Sequence, residues 1–199
     1  MSGIREYAAE YFDGMRRSIE EVDGEALEGI AEVFREAWRN DRRVFILGNG
    51  GSATTASHMA TDLGKGTAQP GVKRFKALSV TDNMGLVTAY GNDMSYDDIF
   101  VEQIKNHLEP GDVVVGITGS GNSPNVLKAI RWAREHGAVT VGFIGFGGGK
   151  LAGMVDHQVT FSSCNYGIVE DLHLSLNHIL SQFFTRELAA LRPAAGETA

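Results

Sequence analysis

Two stretches of the chain share one local design: an apolar strand, a Gly/Ser-rich turn and a helix. In the first, Val44-Phe45-Ile46-Leu47 runs into Gly48-Asn49-Gly50-Gly51-Ser52 and a helix from about Ala53. In the second, Val113-Val114-Val115-Gly116-Ile117 runs into Thr118-Gly119-Ser120-Gly121-Asn122-Ser123 and a helix from about Pro124. A turn of this kind aims backbone N–H groups and hydroxyls outward at the positive end of a helix, where a phosphate is well held. One such loop is weak evidence. Two in one small domain predict a protein that binds phosphorylated small molecules.

The rest of the chain fits around this pair. Ile4, Tyr7, Ala8, Tyr11, Met15 and Ile19 recur at helical spacing, as do Leu27, Ile30, Val33, Phe34 and Trp38, with a break at Asp23-Gly24. Residues 1–40 therefore read as a helical arm. Strands are predicted near 43–47, 75–80, 112–117, 138–144 and 157–161, and helices near 53–63, 84–90, 95–107, 124–136 and 168–190. The alternation predicts a single α/β domain over 1–199, with a doubly wound, mainly parallel five-stranded sheet and long N- and C-terminal helices. Residues 192–199 are expected to fray. The first helix is amphipathic but long for a small sheet domain, and the last carries apolar residues, Leu172 to Phe184, on more than one side. That pattern fits either packing on their own sheet or burial against a second copy of the chain.

Composition narrows the function classes. At 199 residues, 43% hydrophobic and 22% charged, the chain can bury one full core. A net charge of −7 argues against a nonspecific nucleic-acid or anionic-membrane surface, although a small anion needs only a local positive site. The single cysteine, Cys164, excludes an internal disulfide and fits a reducing cytoplasm. The stretch Met1-Ser2-Gly3-Ile4-Arg5-Glu6 lacks the apolar core of a signal peptide, and no run approaches a membrane span.

Two rival uses of the glycine turns fail on spacing. Gly48-x-Gly50-x-x-Ala53 matches a dinucleotide fingerprint, but the acidic residue expected about 20 positions on is missing, Asp62 coming too early and Asp82 too late. Neither turn ends in Gly-Lys-Ser/Thr, and Gly145-Phe146-Gly147-Gly148-Gly149-Lys150 is followed by Leu151, which argues against triphosphate hydrolysis. The second turn is the more specific phosphate cradle, because Thr118, Ser120 and Ser123 offer hydroxyls between Gly119 and Gly121. Ser123 before Pro124 is also a good helix start, a role compatible with binding.

A second group of residues carries acid–base or metal chemistry. His58 and Asp62 stand at i and i+4 on the helix after the first turn and so share a face. Far along the chain comes Glu170-Asp171-Leu172-His173-Leu174-Ser175-Leu176-Asn177-His178. Two histidines and two carboxylates on a mostly apolar helix are costly to bury without partners. Glu170 and His178 are separated by a helical rise of roughly 12 Å. Both can meet one metal only if Glu170 lies at an unwound helix entrance, or if a neighbouring subunit supplies one of them.

Together, Gly48 to Ser52, Gly91-Asn92-Asp93, Thr118 to Ser123 and Glu170 to His178 resemble the sugar isomerase (SIS) fold, and more narrowly the phosphoheptose isomerases. Those enzymes interconvert sedoheptulose 7-phosphate and glycero-manno-heptose 7-phosphate. The family carries a His and, four on, a Glu after the first loop, and a Gln and, eight on, a His in a late helix. These gather a zinc ion at a subunit interface of a homotetramer. The resemblance therefore implies a divalent metal, zinc, held by His58, Asp62, Glu170 and His178. It also implies a base at Asp62 or Glu170, an acid at His178, and substrate contacts from Asn49, Gly50, Gly51, Ser52, Asn92, Asp93, Thr118, Gly119, Ser120, Ser123 and Glu170. Asp62 stands where the family has Glu, and Glu170 where it has Gln. The shorter Asp62 sets its carboxylate about 1.5 Å back, and Glu170 adds negative charge. A cytoplasmic homotetrameric isomerase is the resulting expectation, with two alternatives: a non-catalytic SIS adaptor or sugar-phosphate sensor, and an isomerase of another ketose phosphate.

Overall fold

Five parallel strands form one sheet in the order β2-β1-β3-β4-β5: β1 (Arg43–Gly48), β2 (Lys76–Ser79), β3 (Val113–Thr118), β4 (Val139–Ile144) and β5 (His157–Thr160). The structure, a computed structural model, describes residues 3–193. The central strands are buried on both faces, which is why they read as continuous apolar runs rather than as alternating ones. Strand order reverses between β1 and β3. The chain leaves β1 toward one edge and β3 toward the other, so the turns after these two strands open a crevice at the carboxyl end of the sheet.

Helices cover both faces. Those on one side are α2 (Gly24–Arg39), α3 (Gly51–Thr61) and α7 (Tyr166–Ala189). They pack with Val44, Ile46, Val115, Ile117 and Phe143 of the sheet, and Phe34, Phe75 and Phe184 pack together among them. On the other side α5 (Val101–Lys105) and α6 (Pro124–Glu135) cover Phe45, Leu47, Val114 and Ile144. Gly116 of β3 faces α6, where an added Cβ would come within 3.2 Å of Val126. The helix starts are chemically marked. Asp23 accepts from Glu25 N at 2.9 Å, and Asn165 caps α7 through Gly167 N at 3.0 Å.

Two stretches differ from the sequence reading. The helix expected over 84–90 continues as α4 (Met84–Asp93), absorbing Gly91-Asn92-Asp93 into its last turn. The helix expected over 95–107 is a 3-10 turn at Tyr96–Asp98 followed by the short α5. At the C-terminal end, Arg192 Nε donates to Gln69 Oε1 at 2.6 Å, and positions 194–199 of the expected frayed tail lie outside the described residues.

The arm helix α1 (Ile4–Glu20) sits on the rim. Tyr11 donates its hydroxyl to Asp171 Oδ2 at 2.6 Å; burial, and next the Asp171 carboxylate, push that hydroxyl up to about 12. Ile4, Tyr7, Phe12 and Ile19 of α1 remain exposed, as do Ile179 and Phe183 of α7. Among the described residues, no helix is long and apolar enough to cross a membrane.

Candidate active site

The two glycine turns meet at the crevice. Asn49, Ser52, Thr118, Gly119, Ser120 and Ser123 line one cleft of about 140 Å³, together with Ile117, Tyr166 and Glu170. Gly50 takes φ +57° as it starts α3, a conformation that costs glycine little. Ser123 begins α6 without a side-chain cap bond, which leaves its hydroxyl available to a ligand. No Lys or Arg is among the residues lining the cleft, so an anion there is met by hydroxyls, backbone N–H groups and the helix N-terminus.

Asn49 does more than line this cleft. Its amide pairs reciprocally with the buried Asn125 of α6, with both N···O distances at 2.9 Å, and its Oδ1 also accepts from the Tyr96 hydroxyl at 3.1 Å. The pair ties the first turn to the helix that follows the second, fixing the two halves of the cradle relative to each other. Sequence reasoning missed Asn125, Tyr96 and Tyr166. Asn125 lies two residues beyond the hydroxyl motif, and the only sequence signal is a polar residue beside the apolar Val126 and Leu127 at the start of that helix.

Helices α3 and α7 run side by side in the same direction. At one end the Glu170 carboxylate lies directly against Gly51, where an added Cβ would collide with it. Farther along, His58 and His178 face each other with Nε2 atoms 3.5 Å apart and ring centroids 5.0 Å apart. Asp62 Oδ2 lies 3.4 Å from His58 Nε2 and 3.9 Å from His178 Nε2. Asp62 opens a π-helical turn, Asp62–Gly66, closed by Thr67 N on Asp62 O at 3.0 Å. Such turns are rare and recur at functional positions; this one forms the last turn of the helix before the chain leaves it at Thr67.

His58, Asp62 and His178 thus converge in a single chain, and all their ligand atoms lie within 4.8 Å of one another. Two ligands on a tetrahedral zinc at ordinary Zn–N and Zn–O distances stand about 3.4 Å apart. Separations of 3.4, 3.5 and 3.9 Å suit one divalent ion.

Glu170 is not brought to this group. The reason is local: Asn165 caps α7 at its start, so Glu170 lies one turn inside an unbroken helix, not at an unwound entrance. Asn92 and Asp93 are likewise not among the residues lining the cleft. They are exposed at the end of α4, where the Asn92 amide donates to Asp93 Oδ1 at 2.8 Å.

His173 has a different character. Buried between Phe143 and Phe161, it has no hydrogen-bond partner of normal geometry at either ring nitrogen. Burial pushes its pKa down to about 4, against an opposing influence of the Ile144 backbone.

Comparison with known proteins agrees with this geometry. Residues 10–145 match the SIS domain model. The chain is 37% identical over 163 residues to a phosphoheptose isomerase from Nitratidesulfovibrio vulgaris, covering 76% of this chain and 74% of that protein. The chain belongs to the SIS-domain phosphoheptose isomerase family. It is also 35% identical to a probable phosphoheptose isomerase from Thermoplasma acidophilum, across 87% of this chain and 94% of that one. The structure of phosphoheptose isomerase GmhA from Neisseria gonorrhoeae superposes with a TM-score of 0.85 at 28% identity, covering 92% of this chain and all of that one. Family membership at this level favours an isomerase over the adaptor and sensor alternatives.

Proposed function

We infer that this chain interconverts sedoheptulose 7-phosphate and glycero-manno-heptose 7-phosphate through an enediol(ate). The observation that carries this reading is the convergence of Asp62 and His178 on His58, farther along the same helix, α3, that starts at the cradle. His58 lies seven positions after Gly51 on α3, a rise of roughly 10 Å. An extended heptose 7-phosphate spans about 9 Å from phosphorus to C2, and a five-carbon analogue falls short by about 2.5 Å. A seven-carbon ketose whose phosphate sits at the start of α3 thus has the reach to bring C1 and C2 to the cluster.

The chemistry moves a proton between C1 and C2 and needs a base, an acid and stabilisation of the developing oxyanion. Asp62 is the base, acting through Oδ1, since Oδ2 is turned toward the imidazoles and Asn177. His178 supplies and receives the proton at the sugar oxygen through Nδ1, since its Nε2 is turned toward His58 and Asp62. Ser52, Thr118, Ser120 and Ser123 hold the phosphate, while Glu170, at the cradle end of α7, accepts from sugar hydroxyls and is not the base. His58, Asp62 and His178 would hold the divalent ion, zinc by family resemblance, which when bound supplies Lewis-acid polarisation of the carbonyl. Exposed apolar residues on α1 and α7 support a homo-oligomer, a tetramer by the same resemblance. The lone cysteine supports a cytoplasmic setting.

Replacing Ser120 and Ser123 together by Ala is expected to raise KM for sedoheptulose 7-phosphate by about 100-fold with kcat nearly unchanged, since each charge-assisted hydrogen bond is worth ~1.5–3 kcal/mol. Steady-state kinetics checks this, and an unaltered KM would contradict the anchoring role. Metal analysis of protein purified without chelator is expected to find one divalent ion per chain. Its removal by chelation should abolish turnover, and readdition of zinc should restore it.

A further inference from the structure

Asn177 precedes His178 on α7 but points into the protein and is fully buried. Its Nδ2 donates to Asp62 Oδ2 at 2.9 Å, the same oxygen that faces both imidazoles. A carboxylate only accepts hydrogen bonds, so the amide must present its nitrogen to Asp62 and turn its carbonyl inward. That carbonyl oxygen, Oδ1, is buried without a partner. Folding alone gives no reason to keep an unsatisfied buried acceptor there, where an apolar side chain would do better.

Asp62 has its own reason to need support. It begins the π turn, and the terminal torsion of an aspartate is broad and roughly two-fold, so either oxygen can swing toward the imidazoles. One turn beyond Asn177, Ser181 donates its hydroxyl to the His178 carbonyl at 3.3 Å, which steadies the same stretch of α7.

We propose that Asn177 is a positioning residue: by holding Oδ2 from the buried side, it fixes the Asp62 carboxylate so that one oxygen faces His58 and His178 and the other stays free. Its consequence for turnover rests on the isomerase reading; its consequence for the three-residue cluster does not. Groups that hydrogen-bond a metal-binding carboxylate from behind set its orientation, and their loss typically weakens metal binding or activity by roughly 10- to 100-fold.

The test uses the full chain with Asn177→Leu and, in case the larger side chain is not accommodated, Asn177→Ala. Cobalt(II) titration followed by its visible spectrum, kcat and KM for sedoheptulose 7-phosphate, and the thermal midpoint are read in parallel. Cobalt affinity and kcat are each expected to fall by roughly 10- to 100-fold with KM close to wild type. The Leu variant is expected to melt no lower than wild type, because the unpaired carbonyl is gone. Unchanged cobalt affinity and kcat alongside a lowered melting point would overturn the proposal and make the amide a packing group. If the wild-type chain fails to turn over this sugar, the functional reading fails and cobalt affinity alone decides: a weakened value supports positioning by Asn177, and an unaltered one in both variants refutes it.

Discussion

His178→Ala is expected to lower kcat/KM for sedoheptulose 7-phosphate by about a thousandfold, equivalent to ~4 kcal/mol of transition-state stabilisation. Two functions are lost at once: the proton donor at the sugar oxygen and one of two imidazoles that approach each other at 3.5 Å. Folding should hardly notice. The His178 side chain is 43% exposed, and its removal opens no cavity, so stability should change by less than about 0.5 kcal/mol. Product formation followed by NMR, with a urea melt on the same preparation, checks both halves. A variant that folds and turns over normally would leave the cluster without a catalytic role.

The second large effect concerns stability, and it falls on the other histidine of α7. His173 is neutral in the folded protein, its pKa depressed from 6.5 to about 4 by burial between two phenylalanines. The unfolded chain takes up a proton there near pH 6.5, whereas the folded chain does so only near pH 4. Unfolding therefore binds a proton within that window. Stability from this group is fully present above about pH 6.5 and is lost as pH falls toward 4, by about 2 kcal/mol at pH 5 and about 3 kcal/mol at pH 4. His173→Leu should remove this dependence. Urea melts of both proteins at pH 7 and pH 5 should show the wild type losing about 2 kcal/mol more than the variant, and parallel losses would place the imidazole in a wetter setting.

Much of this architecture was legible in the residues. The buried central strands β1, β3 and β4 read as unbroken apolar runs, whereas the edge strands β2 and β5 are short and half polar; all five nevertheless fall within a few positions of where the sequence puts them. The pairing of the two hydroxyl-bearing turns followed from strand reversal, a consequence of topology rather than of any one residue. The α4 boundary was less legible, because Gly91-Asn92-Asp93 has the composition of a turn yet sits in a helix. The same holds for Gly167, which reads as a break but lies in the first turn of α7 under the Asn165 cap. That cap places Glu170 inside the helix and so decides that it meets Gly51 and not the two histidines. His58 and Asp62 were visible as a helical pair, but the π turn that begins at Asp62 has no sequence mark beyond Gly64 and Gly66. Asn177 was invisible as a partner, since its role depends on α3 lying alongside α7.

Incubation of sedoheptulose 7-phosphate with the wild-type chain and with Asp62→Asn, followed by proton NMR, puts the cluster's chemistry to its most direct trial. With the wild type, the anomeric proton of glycero-manno-heptose 7-phosphate should grow in until the two sugars reach equilibrium, while the variant leaves the ketose unchanged. Equal rates of aldose formation by the two proteins would show that proton transfer runs through some other group.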